Sequence, residues 1–293
     1  MRTILIQLNS GSLGDTISVL PCVEHFMLKS NDNVLVKINQ SFEWMFRESY
    51  TNINYFREGT PFDEKIELKY NFNVPLQHGY AEQLGLSDWK YIRPNLRLNY
   101  KERPIKGKYV VINIHSTCQL KYWNHPFGIE SQPSSPNWTE LCGMLRKEGL
   151  TPVIIEKDEM FGTPPYRNGI PSKANKKIGM SFEDVINYIH HSEFFIGLSS
   201  GLSWLSHAMN KKVVMIANFT EDWNEFDLSC RDYKRITNKS VCHGCWNKIG
   251  DGYDFDPNDW YWCPKHKGTD RQFECHTSIT PLMVFDEIKD WIN

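Results

Sequence analysis

The chain has 293 residues, a formal net charge of −2 and 13% aromatic residues. This length allows two domains of roughly 100–150 residues each, and the near-neutral charge excludes an overall basic field for nucleic acid. No segment has the roughly 20 consecutive apolar residues that a membrane span requires. The chain begins with a strand pattern, not with a charged leader and a small-residue cleavage site. We therefore expect a cytoplasmic protein with reduced cysteines.

Strand and helix patterns alternate in the first half of the chain. The apolar run Ile4–Leu8 predicts a buried strand, a turn rich in Gly and Ser follows, and an amphipathic pattern predicts a helix over Asp15–Ser30. The polar segment Arg93–Lys108 is interpreted as the crossing between two domains. The other predictions for this half are a strand over Asn33–Ile38, a helix over Ser41–Glu48, a strand over Asn52–Arg57, a loop region over 58–80 and a helix over His78–Leu84.

The second half starts again with a buried strand, over Lys108–His115. Helices are then predicted over Asn137–Leu150, Ser181–His191, Leu202–Met209 and Thr280–Ile292, and strands over Thr151–Glu156, Glu193–Gly197 and Val213–Ala217. The stretch from 219 to 277 shows little periodicity. Alternating strands and helices predict parallel sheets with helices on both faces. The sequence therefore predicts an α/β protein of two Rossmann-like domains that face a cleft.

The loop after the first strand is a candidate catalytic site. Gly14 and Asp15 stand where a strand ends and a helix begins, which is where open α/β sheets bind ligands and where a helix dipole favours anions. The more common interpretation of a lone Gly-x-x-Gly-Asp is that the Asp caps the helix. The loop is neither the dinucleotide-binding fingerprint nor a Walker loop.

A second candidate site follows the strand that ends near His115. The hydroxyl residues Ser116 and Thr117 precede Lys121, and hydroxyls with an ammonium group suit a phosphate. The alternative is a solvated loop with an ordinary surface lysine. Glu156 ends another strand, where it is a candidate for contact with a ribose or a sugar, although a surface glutamate is an equal alternative.

A third candidate site is the turn Ser199-Ser200-Gly201, which joins a strand directly to a helix. Backbone N–H groups at such a turn can hold a diphosphate, and glycine permits close approach. A simple capped helix explains the turn equally well. Trp204 and His207 lie on the helix that follows and could contact a base or a sugar, whereas core packing is the ordinary role of such a tryptophan.

The order of the three motifs resembles glycosyltransferase family 9, the ADP-heptose transferases. The Ser199-Ser-Gly-Leu-Ser-Trp204 turn and the Cys242-x-x-Cys245 pair resemble the autotransporter heptosyltransferase branch, whose enzymes modify hydroxyls of autotransporter proteins. The resemblance implies a GT-B fold with an N-terminal acceptor domain, residues 1–105, and a C-terminal nucleotide-sugar domain, residues 106–293. It also implies a further N-terminal domain, which we expect this chain to lack because its first strand begins at residue 3.

The resemblance also implies roles for individual residues. Asp15 matches the catalytic base, Lys121 matches the lysine on the donor phosphates, and the turn at Ser199, Ser200 and Gly201 matches the diphosphate site. The lipopolysaccharide enzymes of the family carry Asp-Thr-Gly at this turn, so the chain departs from their pattern. The remaining candidates for donor binding are Gly14, Ser116, Thr117, Glu156 and Trp204.

The chemistry of glycosyl transfer suits these residues. An acceptor hydroxyl loses its proton as it attacks the anomeric carbon, and a carboxylate such as Asp15 can accept that proton. Lys121 and the N–H groups near Gly201 would stabilise the charge that develops on the leaving nucleotide diphosphate. With those groups in place the transfer needs no catalytic metal. A single displacement predicts inversion at the anomeric carbon.

Four of the eight cysteines cluster near the C-terminus, at Cys242, Cys245, Cys263 and Cys275. This spacing predicts a four-thiolate metal site over about 240–277, and either zinc or a single iron suits such a site. The family resemblance implies iron. A redox pair or incidental buried cysteines are the alternatives, and His243, His266 and His276 are alternative ligands. We expect a structural site with a possible role in self-assembly, and thus a homo-oligomer.

Two other functions are compatible with the cysteine cluster. The aromatic run Trp260-Tyr-Trp262 and the basic run Lys265-His-Lys267 would suit a metal-knuckle module that binds nucleic acid, or a glycosyltransferase that acts on hydroxylated bases in DNA. The acidic balance of the whole chain favours a protein acceptor over nucleic acid. A sugar-binding or assembly protein without catalysis is a further alternative.

Overall fold

Two parallel sheets, one in each half of the chain, form the framework of the protein. The structure, a computed structural model, describes residues 1–116, 122–123, 135–163 and 166–292, without the side chains of 161–163 and 166–168. The first sheet has the strand order β3-β2-β1-β4 and the second has the order β12-β11-β10-β5-β6-β9. The strands of the first half are β1 (Thr3–Leu8), β2 (Asn33–Lys37), β3 (Asn54–Tyr55) and β4 (Glu64–Leu68).

The second half supplies eight strands to the described residues. They are β5 (Tyr109–Ile112), β6 (Thr151–Glu156), β7 (Met160–Thr163), β8 (Tyr166–Gly169), β9 (Asn175–Ile178), β10 (Phe195–Leu198), β11 (Val213–Ile216) and β12 (Tyr233–Ile236). Strands β7 and β8 form a separate antiparallel hairpin. All other pairs are parallel, as the alternating pattern predicts.

Helices connect the strands in both halves. They are α1 (Leu13–Lys29), α2 (Gln40–Arg47), α3 (Leu76–Gln83), α4 (Pro136–Lys147), α5 (Phe182–His191), α6 (Gly201–Ala208), α7 (Glu274–Thr277) and α8 (Pro281–Ile292). None of these helices is long and apolar enough to cross a membrane. The α/β class is therefore confirmed, and the pair of parallel sheets fits a GT-B fold.

Three stretches for which no strand was predicted contain strands. The predicted loop region 58–80 holds β4 and the start of α3, the stretch 157–180 holds β7, β8 and β9, and the aperiodic stretch 219–277 holds β12. Strands β4 and β12, like β9, lie at the edge of a parallel sheet. Their sequences, Glu-Lys-Ile-Glu-Leu and Tyr-Lys-Arg-Ile, are rich in charge because an edge strand is only partly covered. The loop prediction was wrong for this reason.

The crossing segment between the sheets is anchored to the second half. The backbone N–H of Leu96 donates to the carbonyl of Ala208 at 2.8 Å, and the Arg93 guanidinium donates to the carbonyl of His207 at 2.7 Å. The N–H of Lys101 donates to the Asn187 amide oxygen at 3.0 Å. One hydrophobic core runs from the first sheet into the second, so the two halves share buried surface.

Candidate active site

A cleft of about 800 Å³ lies where the two sheets face each other. In the second sheet, β5 lies between β10 and β6, so the strand order reverses at β5, and in the first sheet it reverses at β1. Ligands of open α/β sheets bind at the carboxyl ends of strands at such reversals. The loops after β1, β5 and β10 all line the cleft. These are the three loops that the sequence singled out.

The N-terminal ends of α1 and α6 meet at the floor of the cleft through two glycines. A Cβ atom placed on Gly201 would lie 2.9 Å from the Cβ of Leu13 and 3.2 Å from the backbone nitrogen of Gly14. A Cβ atom on Gly14 would lie 3.0 Å from Trp204 and 3.4 Å from the Cα of Gly201. A Cβ on Gly201 would push the two helix ends apart, and a Cβ on Gly14 would press on the Trp204 ring, so both positions favour glycine. Two positive helix ends, one from each half, thus converge on one space.

Asp15 does not cap helix α1. Ser12 is the cap, since its hydroxyl accepts the backbone N–H of Asp15 at 3.1 Å. Asp15 is half-buried and lines the cleft. Within the part of the chain that the structure describes, its carboxylate receives no hydrogen bond and forms no ion pair. The carboxylate is therefore available to a ligand, and capping does not explain its place in the first turn.

The turn between β10 and α6 holds two serines in different ways. Ser200 occupies the cap position with an extended backbone, but its hydroxyl donates to the Asn113 side-chain oxygen at 3.3 Å instead of capping the helix. Ser199 is buried and donates to Glu225 at 2.6 Å. The first N–H groups of α6 thus receive no side-chain cap, and this helix end faces the cleft at Gly201.

Glu156 holds the backbone of the loop after β5. It is not among the described residues that line the cleft, and its carboxylate accepts the backbone N–H groups of Ile114 at 2.6 Å and His115 at 2.8 Å, as well as the Asn113 amide at 2.9 Å. Burial raises the pKa of Glu156 to about 7. Its role in donor binding stays a prediction, whereas its contacts show that it fixes the loop that carries His115 and Ser116 into the cleft.

The aromatic and histidine candidates on α6 have separate environments. Trp204 lines the cleft and packs edge-on against Phe226, with ring centroids 4.7 Å apart. His207 is fully buried, stacks on Phe226 at 4.1 Å and pairs with the Tyr91 hydroxyl at 2.9 Å. Burial lowers the pKa of His207 to about 3, so the ring is a neutral core residue.

Two of the predicted phosphate ligands, Thr117 and Lys121, lie outside the described residues. Their roles stay predictions. The described part of that loop, His115 and Ser116, enters the cleft as expected, and the hydroxyl of Tyr122 donates to the Ser116 carbonyl at 3.0 Å.

The sequence did not indicate a second wall of the cleft, which joins the two halves. The Trp246 indole donates to the Tyr70 hydroxyl at 3.2 Å, and the Asn247 amide donates to the Phe72 carbonyl at 2.6 Å and to Asn224 at 2.7 Å. These residues are remote in sequence and lie in stretches without periodicity. The only signal available was that Asn224 lies in the loop that follows a predicted strand.

A buried ion pair, also missed, lies beside this wall. Glu225 lines the cleft, and Arg235 on β12 donates to it at 2.6 Å, with both side chains only 3% exposed. Arg235 also donates to the carbonyl and hydroxyl oxygens of Thr220. The sequence places the two charges ten residues apart, and nothing in the pattern predicts that they pair.

The four C-terminal cysteines share one small cavity of about 10 Å³. Burial, together with the three neighbouring thiols, raises the pKa of the Cys275 thiol. Every cysteine that the structure describes is a free thiol, so the cluster is not disulfide-bonded. The residues Cys242, Cys245, Cys263 and Cys275 therefore line one cavity, and their joint ligation of a metal stays a prediction.

The histidines near the cluster differ in their surroundings. His266 lines the cavity, and its side chain, the Cys242 thiol and a Glu274 oxygen lie within 4.8 Å of one another. His243 lines the cavity too, and its Nδ1 atom pairs with the Val241 carbonyl at 2.9 Å. His276 is fully buried and contacts the backbone of Asn218. His266 is thus the alternative ligand that this geometry favours.

No protein-family model matches the chain. The chain is 32% identical to the autotransporter heptosyltransferase Aah of Escherichia coli, over 98% of this chain and 74% of Aah. It is 30% identical to the autotransporter heptosyltransferase TibC of Escherichia coli O78:H11, over 97% of this chain and 70% of TibC. The chain belongs to the autotransporter heptosyltransferases. It is a glycosyltransferase, as the motifs indicated.

Solved structures of this family give the same result. The crystal structure of TibC, described as an iron-containing dodecameric glycosyltransferase, superposes with a TM-score of 0.87 at 29% identity and covers 99% of this chain and 76% of TibC. TibC in complex with ADP-D-β-D-heptose gives a TM-score of 0.84. The family also includes BimC of Burkholderia thailandensis, described as inactive, which is 30% identical over 67% of this chain and 42% of BimC.

Proposed function

We propose that the chain transfers heptose from ADP-heptose to a Ser or Thr hydroxyl of a protein, in a single displacement that inverts the anomeric carbon. Three findings support the proposal: membership of the family, the ADP-heptose complex of TibC, and a cleft that carries a carboxylate on one side and a diphosphate-type turn on the other. Residues 1–105 would bind the acceptor and residues 106–293 the donor.

One observation carries most of the argument: the glycine contact that brings the α1 and α6 ends together. The leaving diphosphate needs donors and positive potential, which the N-terminus of α6 at Ser200 and Gly201 provides. The attacking hydroxyl needs a base, which Asp15 on the opposite helix provides. Because the two helix ends touch, both groups lie within the length of one nucleotide sugar.

The residues divide the reaction as follows. The Asp15 carboxylate accepts the proton of the acceptor hydroxyl as its oxygen bonds to the anomeric carbon, an effect typically worth about 10²–10⁴-fold in rate. The bond between the anomeric carbon and the diphosphate oxygen breaks, and the negative charge stays on ADP. The α6 N–H groups and Lys121 stabilise that charge, while Ser116, Thr117 and Trp204 line the donor site. Glu156 holds the loop that carries Ser116.

We also propose that the cysteine cluster binds iron, with zinc as the alternative metal. Four free thiols, three of them buried, line a cavity with space for a single ion and fit a tetrahedral thiolate site. Gly244 adopts a left-handed backbone (φ +68), which the tight turn between Cys242 and Cys245 requires. The metal would be structural, holding the segment that places Trp246 at the cleft. We also propose a homo-oligomer analogous to the TibC dodecamer.

A nucleotide panel and a transfer assay test the proposed function. Metal-replete protein is heated with ADP, UDP, GDP or CMP, each at about 100 times its expected dissociation constant, where binding stabilises by roughly 2.7 kcal/mol. ADP alone is expected to raise the melting temperature, and ADP-heptose with a purified autotransporter passenger is expected to give a heptosylated product. A shift with another nucleotide would retain the transferase and change the donor.

The alternatives give different results in the same assays. A transferase for hydroxylated DNA bases would bind duplex DNA with strong salt dependence and modify it. A non-catalytic protein, as described for BimC, would bind ADP-heptose without transfer. Asp15 lies uncapped in the cleft, which favours catalysis over this last alternative.

A further inference from the structure

Glu225 is a buried carboxylate at the cleft surface whose role is not explained by the catalytic groups above. Its Oε1 atom accepts the Ser199 hydroxyl at 2.6 Å, and its Oε2 atom accepts the Arg235 guanidinium at 2.6 Å. The Thr220 hydroxyl lies 3.2 and 3.3 Å from the two oxygens and donates to one of them. The described residues thus supply three donors, whereas a carboxylate has about four lone-pair sites.

Glu225 lies on a loop that contacts both halves of the chain. Through Ser199 it is fixed beside the turn that would hold the diphosphate. Its neighbour Asn224 accepts the backbone N–H of Leu76 at 2.9 Å and contacts Tyr70, so the same loop is attached to the acceptor half. Glu225, the Ser199–Gly201 turn and the proposed base Asp15 line the same cleft, so a sugar bound between the turn and Asp15 would lie within reach of this loop.

The charge of Glu225 selects what can lie against it. A diphosphate is repelled by a carboxylate, while a neutral group rich in hydroxyls can donate hydrogen bonds to it. Arg235 pairs with the carboxylate and fixes its position, since both side chains are buried.

We infer that Glu225 accepts a hydroxyl of the transferred sugar and so determines the specificity of the donor site for the glycosyl group. The inference rests on the proposed function. Ser199 of the proposed diphosphate turn contacts this carboxylate, which the loop after β11 supplies. Glu225 distinguishes ADP-heptose from ADP because it contacts the sugar, whereas the turn before α6 binds the diphosphate that both molecules carry.

Paired binding measurements test this role. We expect Glu225→Gln to bind ADP within about 2-fold of wild type and ADP-heptose about 10- to 100-fold more weakly, as for the loss of a hydrogen bond to a charged group. Asp222→Asn is the matched control. Asp222 also pairs with Arg235, at 3.4 Å, and is not among the described residues that line the cleft, so this variant should retain the wild-type ratio of the two affinities.

A purely structural role predicts a different pattern. The affinities of Glu225→Gln for ADP and for ADP-heptose would then fall in parallel. That result, or an unchanged affinity for ADP-heptose, would overturn the inference. Glu225→Asp retains the charge beside Arg235 and is measured in the same way if Glu225→Gln does not fold. Failure of the wild-type protein to bind or transfer heptose would contradict the proposed function instead, so the two failures are distinguishable.

Discussion

Replacement of Gly201 by alanine tests the contact on which the site depends. The new Cβ would lie 2.9 Å from the Cβ of Leu13 and 3.2 Å from the backbone nitrogen of Gly14. Carbon atoms pack best at about 3.5–4.0 Å, so the N-terminus of α1 has to move away from α6 by about 0.6 Å or more. These two neighbouring atoms are a Cβ and a backbone nitrogen, and neither can move away through a change of side-chain rotamer.

The magnitude follows from this clash. Overpacking of a close contact typically costs about 1–3 kcal/mol, and the helical preference of alanine over glycine offsets about 0.5–1 kcal/mol. For a chain of this size 1 kcal/mol corresponds to roughly 2–4 °C, so we expect the melting temperature of Gly201→Ala to fall by a few degrees. Transfer should fall further, because displacement of catalytic groups by about 1 Å can cost about 100-fold.

A second glycine supplies the control. Gly143 lies on α4, where a Cβ would approach only the flexible end of the Lys173 side chain, at 3.2 Å from Nζ. Gly143→Ala should therefore leave transfer unchanged and leave the melting temperature unchanged or higher. The assays are thermal unfolding and heptose transfer, side by side on the three proteins. Wild-type stability and transfer in Gly201→Ala would refute the packing of the two helix ends.

Three further predictions concern the base, the metal and a buried carboxylate. Asp15→Asn should lower the transfer rate by about 10²–10⁴-fold with ADP affinity unchanged by calorimetry, and full turnover would remove Asp15 from the mechanism. Cys245→Ser should lose metal by elemental analysis and melt earlier, whereas Cys230→Ser, outside the cavity, should keep its metal; a fully metallated Cys245→Ser would disprove the ligand set. Burial raises the pKa of Glu156 from 4.5 in the unfolded chain to about 7 in the folded protein. Between pH 4.5 and pH 7 the folded protein therefore holds a proton on Glu156 that the unfolded chain has released. The free energy of unfolding consequently falls as the pH rises through this window. The glutamine of Glu156→Gln does not titrate, so the free energy of unfolding of this variant relative to wild type should rise by up to about 3 kcal/mol from pH 5 to pH 8. If the difference between variant and wild type stays constant over this range, the pKa of Glu156 is near its ordinary value.

The buried parallel strands were predictable because their sequences are continuous apolar runs. Thr151–Glu156 has the same bounds in the structure as in the prediction. The edge strands β4, β9 and β12 were missed because half or more of their residues are charged and most are only partly covered. The predicted starts of the helices differ from the observed starts by one or two residues. For α1 the reason is that Ser12, and not Asp15, caps the helix.

The candidate site was predictable where it follows strand ends, and not where it depends on distant pairing. Gly14, Ser116 and Gly201 all follow apolar strands, and all line the cleft. Glu225 and Trp246 line the cleft and contact Arg235 and Tyr70 respectively, and neither contact has a local sequence signal. Contacts between remote polar residues depend on the folded arrangement of the two halves.

The central claim is that this chain moves heptose from ADP-heptose to a protein hydroxyl. Intact-mass spectrometry of a purified autotransporter passenger, incubated with the metal-replete protein and ADP-heptose, measures this directly. We expect mass increments of one heptose residue each, dependent on ADP-heptose and lost in Asp15→Asn. An unmodified passenger, with ADP-heptose bound to the protein but not consumed, would contradict the claim.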